Sequence, residues 1–371
     1  MKTLSKKTKY ILSAVFLVIA VALLAYLESN SNQYSYAISI LERSAIFAVV
    51  ALAMNLLTGF TGLFSLGQAG FMAIGAYTVA ILTIPVAKRP DVYYINGIAD
   101  FLANAYLPLP AALILGGIFA ALVGVLIGIP VLRLKSDYLA IATLGFAEII
   151  RAIIAAPQLD RITNGSYGLK AIPAFPNIFW IFGISALCIL LMVMIIKSSY
   201  GRAFKAIRED ETAAEAMGIN LFRHKQMSFI ISCFFTGIAG GMLGVFMRSI
   251  DSKTFSLTLT YDILLIVVLG GLGSITGSVV GAFLLTALRE WLRFFDNPLI
   301  IAGFSVPLFR SGFRMVIFSL ILMMVVLYYR KGLFGSKEFS WDGIYNLPRS
   351  IRTKLSEKKL KKSGREGKAN V

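Results

Sequence analysis

The stretch SSYGRAFKAIREDETAAEAMGINLFRHK, residues 198–225, is a long polar segment between two apolar ones, and it decides how the chain is organised. A basic residue recurs at every third position of its first half, at Arg202, Lys205 and Arg208. This spacing keeps the three side chains on about one face of a helix. Three acidic residues, Glu209, Asp210 and Glu211, come next, followed by TAAEAM and Gly218. Acidic residues at the start and glycine after the end are typical of a second, short helix.

The second helix is too short to be stable alone. A helix of about two turns is marginal in water, so another surface must hold it. Its side chains are small at Ala213, Ala214 and Ala216, which favours close contact in a groove of a partner protein. An amphipathic helix lying on lipid is the alternative, although the acidic cluster disfavours it.

The composition indicates a membrane protein. Of the 371 residues, 57% are hydrophobic, the mean hydropathy is +0.78 and the net charge is +17. Lysine and arginine are concentrated between apolar runs and at the two ends, which is typical of the cytoplasmic loops of a polytopic membrane protein. A basic excess can also indicate nucleic-acid binding, but this distribution argues against nucleic acid as a partner.

Several segments resemble one family of transport proteins. RAFKAIREDETAAEAMGI (202–219) resembles the cytoplasmic coupling loop of branched-chain amino acid ABC transporter permeases of the LivH/LivM family, specifically the LivM-type subunit. Four further blocks resemble the same family in the same order: NLLTGFTGLFSLGQAGFMAIGAY (55–77), SDYLAIATLGFAEIIR (136–151), TNGSYGLKAIP (163–173) and LLIVVLGGLGSITGSVVGA (264–282). The ordered set covers most of the chain and is more specific than any one block.

The resemblance implies a function and a set of partners. It implies a permease subunit of an ATP-binding-cassette importer that moves leucine, isoleucine and valine across the cytoplasmic or inner membrane. The implied partners are a second permease subunit, two cytoplasmic ATP-binding subunits, an extracytoplasmic substrate-binding protein and membrane lipid. The implied ATPase-coupling residues are Arg208, Glu209, Asp210, Glu211, Ala213, Ala214, Glu215 and Gly218.

The chain is expected to perform no chemistry of its own. It contains neither GxxxxGKS nor GxxxxGKT, so ATP must be hydrolysed by another chain. His224 is its one histidine, and Cys188 and Cys233 each lie within an apolar run. A histidine-rich metal site is thereby excluded, and no cysteine framework follows. We therefore expect no enzymatic activity, cofactor or metal.

The apolar runs predict an all-α bundle of about ten transmembrane helices, with both termini cytoplasmic. Residues 1–331 form the predicted permease domain, and residues 332–371 a basic, disordered cytoplasmic tail. An even or an odd number of membrane crossings between Phe255 and Phe295 decides on which side of the membrane the basic tail lies. Two helices broken near GGLGS (270–274) place the basic tail on the same side as the basic coupling loop, and a re-entrant hairpin there is the alternative.

Three polar side chains within apolar segments are candidates for the translocation path: Asn55, Gln68 and Glu148. Polar groups in a membrane helix either form hydrogen bonds between helices or face an aqueous path, and both interpretations remain open for Asn55 and Gln68. Glu148 precedes Arg151 by three residues, so the two could instead pair on one helix face.

Other substrates and mechanisms also fit parts of the pattern. Permeases of urea, short-amide and nucleoside importers resemble this chain in the same way. An ion-coupled secondary transporter would need no ATPase, but it predicts an inverted repeat and acidic residues at the midplane, and it leaves the coupling loop unexplained.

Overall fold

The computed structural model describes residues 5–95, 97–134, 136–293, 300–301, 304–305, 313–329, 332–335 and 338. The chain divides into two units, one comprising residues 1–30 and 337–371 and the other residues 31–336. In the first unit, helix α1 (Lys6–Ser29) is apolar and long enough to cross a membrane.

The second unit is a helical bundle. Its longer helices are α2 Ser31–Asn55, α3 Gln68–Thr83, α6 Leu109–Val131, α7 Ser136–Ile154, α9 Ile178–Lys197, α10 Ser199–Glu209, α12 Leu221–Met247, α13 Leu257–Gly270, α14 Ile275–Trp291 and α15 Phe313–Tyr328. Its short helices are α4 Arg89–Val92, α5 Asp100–Ala103, α8 Asp160–Thr163 and α11 Glu211–Ala216. Strands β1 Ile300–Ile301 and β2 Phe304–Ser305 form a small antiparallel pair. The helical bundle predicted from the sequence is confirmed.

Helices α2 and α12 form the centre of the bundle. Every residue of α2 from Ser44 to Asn55 is buried, and most of these residues are small or apolar, so neighbouring helices can pack on all sides. Helix α2 packs against α14, α12 and α9, while α12 packs against α3 and α6. Large apolar side chains point outward from α6 and α9, including Leu126 (70% exposed) and Met194 (62% exposed). Outward apolar side chains of this kind suit a surface that faces lipid.

Glycines allow α3 and α12 to approach closely. A Cβ atom on Gly75 would overlap the carbonyl of Gly237, and one on Gly240 would overlap the carbonyl of Met72. Small residues at facing positions are the usual means by which membrane helices pack backbone to backbone.

We expect Gly240→Val to separate α3 from α12 and to destabilise the bundle by about 1–3 kcal/mol or more, as overpacking does. The thermal unfolding midpoint in detergent and the yield of monodisperse protein should both fall. Gly183→Val is the matched control, because no neighbouring atom lies within 4 Å of the added Cβ position on α9. Equal midpoints for the two variants would contradict this prediction.

The helices differ in whether they are long and apolar enough to cross a membrane. Among the described residues, five helices are long and apolar enough to cross a membrane, or seven if each bent pair counts as one crossing. Helix α13 has 14 residues. At a rise of about 1.5 Å per residue, it is shorter than a hydrocarbon core of about 30 Å. The number of complete crossings, about ten in the sequence prediction, therefore stays a prediction.

Helices α13 and α14 form an antiparallel hairpin. Gly270 lies against Gly277, Ile266 lies against Gly281, and the chain reverses at residues 271–274, where the sequence predicted the break. We call residues 271–274 the hairpin tip.

The first residues of the predicted tail lie at the hairpin tip. The amide of Leu333 donates to the carbonyl of Leu269 (2.7 Å), and that of Phe334 donates to the carbonyl of Gly270 (3.2 Å). Most of the remaining tail, including residues 339–371, lies outside the described residues, so its predicted disorder stays a prediction.

The opposite end of the bundle is closed by loops that bond to one another. Leu169 and Ile250 exchange backbone hydrogen bonds of 2.8 and 2.9 Å, and the side-chain amide of Asn164 donates to the carbonyl of Val92 (3.1 Å). Arg89 is almost fully buried here, with 2% of its surface exposed.

Candidate functional site

The first helix of the polar segment, α10, is amphipathic. Its buried residues recur every three positions, at Gly201, Phe204 and Ile207, and they pack the helix onto the bundle. The basic residues Arg202, Lys205 and Arg208 each follow one of these buried positions and share a neighbouring, more exposed face of the helix, as their spacing predicted. The α10 helix is therefore held on the bundle by its own apolar face.

The second helix, α11, begins and ends as predicted. The Asp210 carboxylate caps it by accepting hydrogen bonds from the backbone amides of Thr212 (2.9 Å) and Ala213 (3.1 Å), as acidic residues at this position commonly do. Gly218 follows the helix with φ 83°. This left-handed conformation favours glycine and ends many helices. Glu211 forms an ion pair with Lys225 (2.6 Å), which ties the start of α11 to α12.

Most of α11 faces away from the bundle. Ala213, Glu215 and Gly218 are exposed, and Met217 is 83% exposed. Ala214 is an exception, because it is only 4% exposed and faces its own chain. Of the alanines expected in a partner's groove, Ala213 and Ala216 are available on this surface and Ala214 is not.

Arg208 connects the coupling loop to the membrane helices. Its Nη1 donates a hydrogen bond to the carbonyl oxygen of Gly59 (2.6 Å), and its guanidinium also pairs with Glu209. Gly59 belongs to a π-helical turn, Leu56–Phe60, that follows α2. Added Cβ atoms on Gly62 and Gly273 would lie 3.1 and 2.8 Å from Arg208 atoms, so both segments pass close to this side chain.

Asn55 fixes the hairpin tip to the end of α2. Its side-chain nitrogen donates to the carbonyl of Ser274 (2.9 Å) and to the hydroxyl of Ser278 (2.6 Å). Its side-chain oxygen accepts from the amide of Gly273 (2.9 Å). Asn55 is fully buried, so the structure places it between helices and away from open space. Its role in a translocation path stays a prediction.

Gln68 lies in a polar chain in the middle of the bundle. Its side-chain oxygen accepts from the hydroxyl of Thr236 (2.6 Å), and its nitrogen donates to Ser232 (3.4 Å). The Ser232 hydroxyl in turn donates to the carbonyl of Ala53 (2.7 Å). Because Gln68 is 2% exposed, these bonds bind α2, α3 and α12 together. The path role of Gln68 also stays a prediction.

The segment between the π turn and α3, residues 61–67, is irregular. Burial alternates along it: Thr61, Leu63 and Ser65 are buried, while Gly62 and Phe64 are exposed. Irregular backbone at membrane depth requires partners from the surrounding protein. Thr143 of α7 accepts from the amide of Leu66 (3.0 Å), and Thr260 of α13 accepts from the amide of Ala69 (3.2 Å).

Glu148 forms the ion pair that its spacing allowed. Its carboxylate contacts Nη2 of Arg151 at 2.6 Å, and the two side chains are 31% and 35% exposed. The two opposite charges therefore compensate each other within α7. A role of Glu148 in the translocation path stays a prediction.

The comparison with known proteins agrees with this arrangement. Residues 36–328 match the protein family described as the branched-chain amino acid transport system permease component. The chain belongs to this permease family. It is a multi-pass membrane protein with the fold class that the sequence predicted. No solved structure matches the chain.

Several relatives of this permease have names. The high-affinity branched-chain amino acid transport system permease protein LivM of Escherichia coli K12 is 32% identical over 305 residues, covering 72% of this chain and 67% of that protein. A probable LivM of Methanocaldococcus jannaschii is 24% identical, covering 77% and 89%. The ribose import permease protein RbsC of E. coli K12 is 25% identical, covering 85% and 92%.

Sequence reasoning missed some of the side chains that shape the permease. Thr260 and Phe64 were not singled out, because a threonine or phenylalanine in an apolar segment is ordinary. Thr260 accepts from the amide of Ala69 in the first turn of α3, and Phe64 is an exposed side chain of the irregular segment 61–67 that precedes α3. The five glycines between Gly59 and Gly75 were the signal that this region is not one regular helix, since glycine at this density breaks a helix or allows close approach.

Proposed function

We propose that this permease forms part of the transmembrane pore of an ATP-driven importer for branched-chain amino acids. Its partners are a second permease subunit, two cytoplasmic ATP-binding subunits and an extracytoplasmic binding protein. The hydrolysis of ATP takes place in the partner subunits. The name of the E. coli relative, at 32% identity, supports this substrate class.

The observation that carries the proposal is the position of α11. This helix is exposed along most of its surface, and Arg208 at the end of α10 contacts Gly59 in the π turn after α2. Movement of a docked ATPase would therefore be transmitted to the π turn, the irregular segment 61–67 and the hairpin tip. A two-state change of these elements would open the path alternately to the two sides.

The proposed orientation places the coupling loop, the tail and both termini in the cytoplasm. The hydrogen bond from Leu333 to Leu269, at the end of α13 next to the hairpin tip, supports a common side for the tail and the coupling loop. Basic residues near the N-terminus and throughout the tail support the cytoplasmic assignment. Within the bundle, we propose that Gly62, Phe64 and Glu148 border the path and that Asn55 and Gln68 hold its walls.

The proposal is tested by affinity purification of the tagged chain from its native membrane in mild detergent, with mass spectrometry of the partners. Recovery of a second permease and ATP-binding subunits is expected, together with ATP-dependent leucine uptake by the reconstituted complex. A chain that purifies alone and transports without ATP would support an ion-coupled transporter, and a complex that imports ribose and not leucine would refute the substrate assignment.

Reversal of the charge of Glu215 should uncouple the transporter. We expect Glu215→Arg to insert normally but to reduce uptake at least tenfold, because unfavourable charge juxtaposition in a protein interface costs several kcal/mol. Uptake of radiolabelled leucine and ATP hydrolysis are measured in the same vesicles. Asp91→Arg reverses an exposed acidic residue in the segment between α3 and α6 and serves as the control. Coupled transport by Glu215→Arg at the control rate would contradict the assignment.

A further inference from the structure

Four charged side chains from three helices meet inside the bundle, outside the coupling loop. Arg289 of α14 pairs with Asp262 of α13, and Nη1 of Arg43 of α2 lies 3.3 Å from Oε1 of Glu290. Their side chains are between 17% and 38% exposed. Charged groups in membrane bundles are costly to bury and usually mark a functional pathway. We call these four residues the charge cluster.

A cavity of about 320 Å³ lies beside the charge cluster, at the lower end of the size range of small-molecule sites. Arg43, Asp262 and Arg289 border one part of it. Another part is apolar, and its wall includes Phe47, Leu243, Phe246 and Leu259. Met247 and Thr258, which also line the cavity, are exposed. The cavity therefore combines both signs of charge with an aliphatic and aromatic wall.

We propose that this cavity is a binding site for the free amino acid during transport. The substrate carboxylate contacts the guanidinium groups of Arg43 and Arg289, its ammonium group contacts Asp262, and its aliphatic side chain lies against the apolar wall. The inference rests on the proposed function and deepens it, because it assigns substrate recognition to the permease as well as to the binding protein.

Charge balance favours a zwitterion as the ligand. The two arginines and two acidic residues of the charge cluster balance one another, and the more exposed Arg293 adds a positive charge 3.9 Å from Glu290. A ligand with one positive and one negative group leaves this net charge unchanged. A guanidinium presents several N–H donors in a plane that matches a carboxylate, and the pair with Asp262 engages Nη1 of Arg289. A sugar or simple amide carries no full charges, so it could form hydrogen bonds with the cluster but no ion pairs. The ammonium and carboxylate of an amino acid match both signs.

The cluster could also act only as a structural lock between α2, α13 and α14, so the test must separate binding from folding. The full-length chain is purified in detergent, and its thermal unfolding midpoint is titrated with L-leucine. Two probes each lack one charge: leucinamide has no carboxylate, and 4-methylpentanoate has no ammonium group. We expect L-leucine to raise the midpoint in a saturable manner, and the two probes and ribose to leave it unchanged.

Two variants locate the site. Asp262→Asn is expected to weaken leucine binding at least tenfold, whereas Asp91→Asn, at an exposed residue, should bind as the wild type does. If Asp262→Asn fails to fold, Leu259→Phe tests the site instead, because the larger side chain takes up space in the cavity and all four charges are kept. Leu259→Phe should weaken leucine binding without lowering the midpoint of the ligand-free protein.

Several results would overturn the inference. Equal leucine affinity in wild type, Asp262→Asn and Leu259→Phe would place the site elsewhere. If leucinamide or 4-methylpentanoate stabilises the protein as much as leucine does, the proposed charge contacts are refuted. If millimolar leucine does not stabilise the protein, the proposed site is refuted. In these cases the proposed function is judged separately by leucine uptake of the whole transporter. Uptake that persists in Asp262→Asn at the wild-type rate rejects the site alone, while absence of leucine uptake in the wild-type transporter rejects the function.

Discussion

Arg208→Ala is expected to abolish the connection between ATP hydrolysis and transport while leaving the bundle folded. The substitution removes the hydrogen bond from Nη1 to the Gly59 carbonyl (2.6 Å), which joins α10 to the π turn. A hydrogen bond from a charged group contributes about 1.5–3 kcal/mol, which corresponds to roughly a 10- to 150-fold change in rate if it is needed in the transition between states. Leucine uptake should fall within this range, and ATP hydrolysis should lose its dependence on the substrate.

The matched control for Arg208→Ala is Arg202→Ala. Arg202 is an exposed arginine on the same helix, and its Nη2 donates to the Ser199 hydroxyl (2.8 Å) within that helix. Both variants lose one positive charge, so any effect of net charge on docking of the ATPase is common to them. A lysine at position 208 should restore part of the coupling, since it retains a donor but not the planar fork. If Arg208→Ala and Arg202→Ala transport equally well, the connection through Gly59 is not used.

Arg208 acts on a region in which three segments share their hydrogen bonds. The π turn lies against Asn55, and Asn55 bonds to Gly273 and Ser274 of the hairpin tip. Gly62 of the irregular segment 61–67 lies beside Arg208. A Cβ on Gly59 would overlap the Asn55 side chain and the amide of Gly273. Because these contacts are so close, a displacement of α10 cannot be absorbed by one segment alone and must move the others.

The sequence predicted the parts of the fold that depend on local patterns. The break at residues 270–274 followed from a run of glycines and from the side on which basic segments must lie, and the hairpin turns there. The two coupling-loop helices followed from charge spacing, the acidic N-terminus and Gly218. The polar contacts of Asn55 and Gln68 between helices were one of the two interpretations considered, although their partners could not be known.

Features that depend on long-range contacts were not predictable. Arg43 and Glu290 are 247 residues apart, and no local pattern of the sequence links a charge within α2 to one in the last turn of α14. The inward orientation of Ala214 depends on how α11 rests on its own chain, which a pattern of identical alanines does not reveal. The burial of Arg89 was not predictable either, because the sequence around it, KRPD (88–91), is typical of a solvated turn. Its guanidinium is buried among backbone carbonyls that lie up to 16 residues away in the sequence.

The guanidinium of Arg89 holds together the segment that joins α3 to α6. Nε donates to the carbonyl of Ile84 (3.2 Å), and Nη2 donates to those of Ile81 (3.3 Å) and Ala105 (2.6 Å). Nη1 donates to the carbonyls of Leu102 and Ala103. These acceptors include the end of α3 and the end of α5, where helix carbonyls lack partners within their own helices. One side chain therefore satisfies several orphan carbonyls at once.

Arg89→Met is expected to destabilise the protein by about 3 kcal/mol or more, because each buried acceptor left without a partner costs about 1–3 kcal/mol. Some acceptors near the end of the bundle will regain water, which keeps the total below the sum over five carbonyls. The measurement is the thermal unfolding midpoint in detergent, together with limited proteolysis, which should cut between α3 and α6 in the variant first.

Lys88→Met is the control for Arg89→Met, since Lys88 is the exposed neighbour and its replacement removes the same charge. Arg89→Lys separates charge from geometry: a lysine keeps the positive charge but has one nitrogen, which cannot reach carbonyls on several sides of the planar guanidinium. If geometry dominates, Arg89→Lys should unfold nearly as early as Arg89→Met, whereas full recovery by lysine would show that the charge alone matters. Unfolding of Arg89→Met at the temperature of Lys88→Met would mean that water replaces the guanidinium without cost, and that the segment between α3 and α6 is held by its apolar contacts.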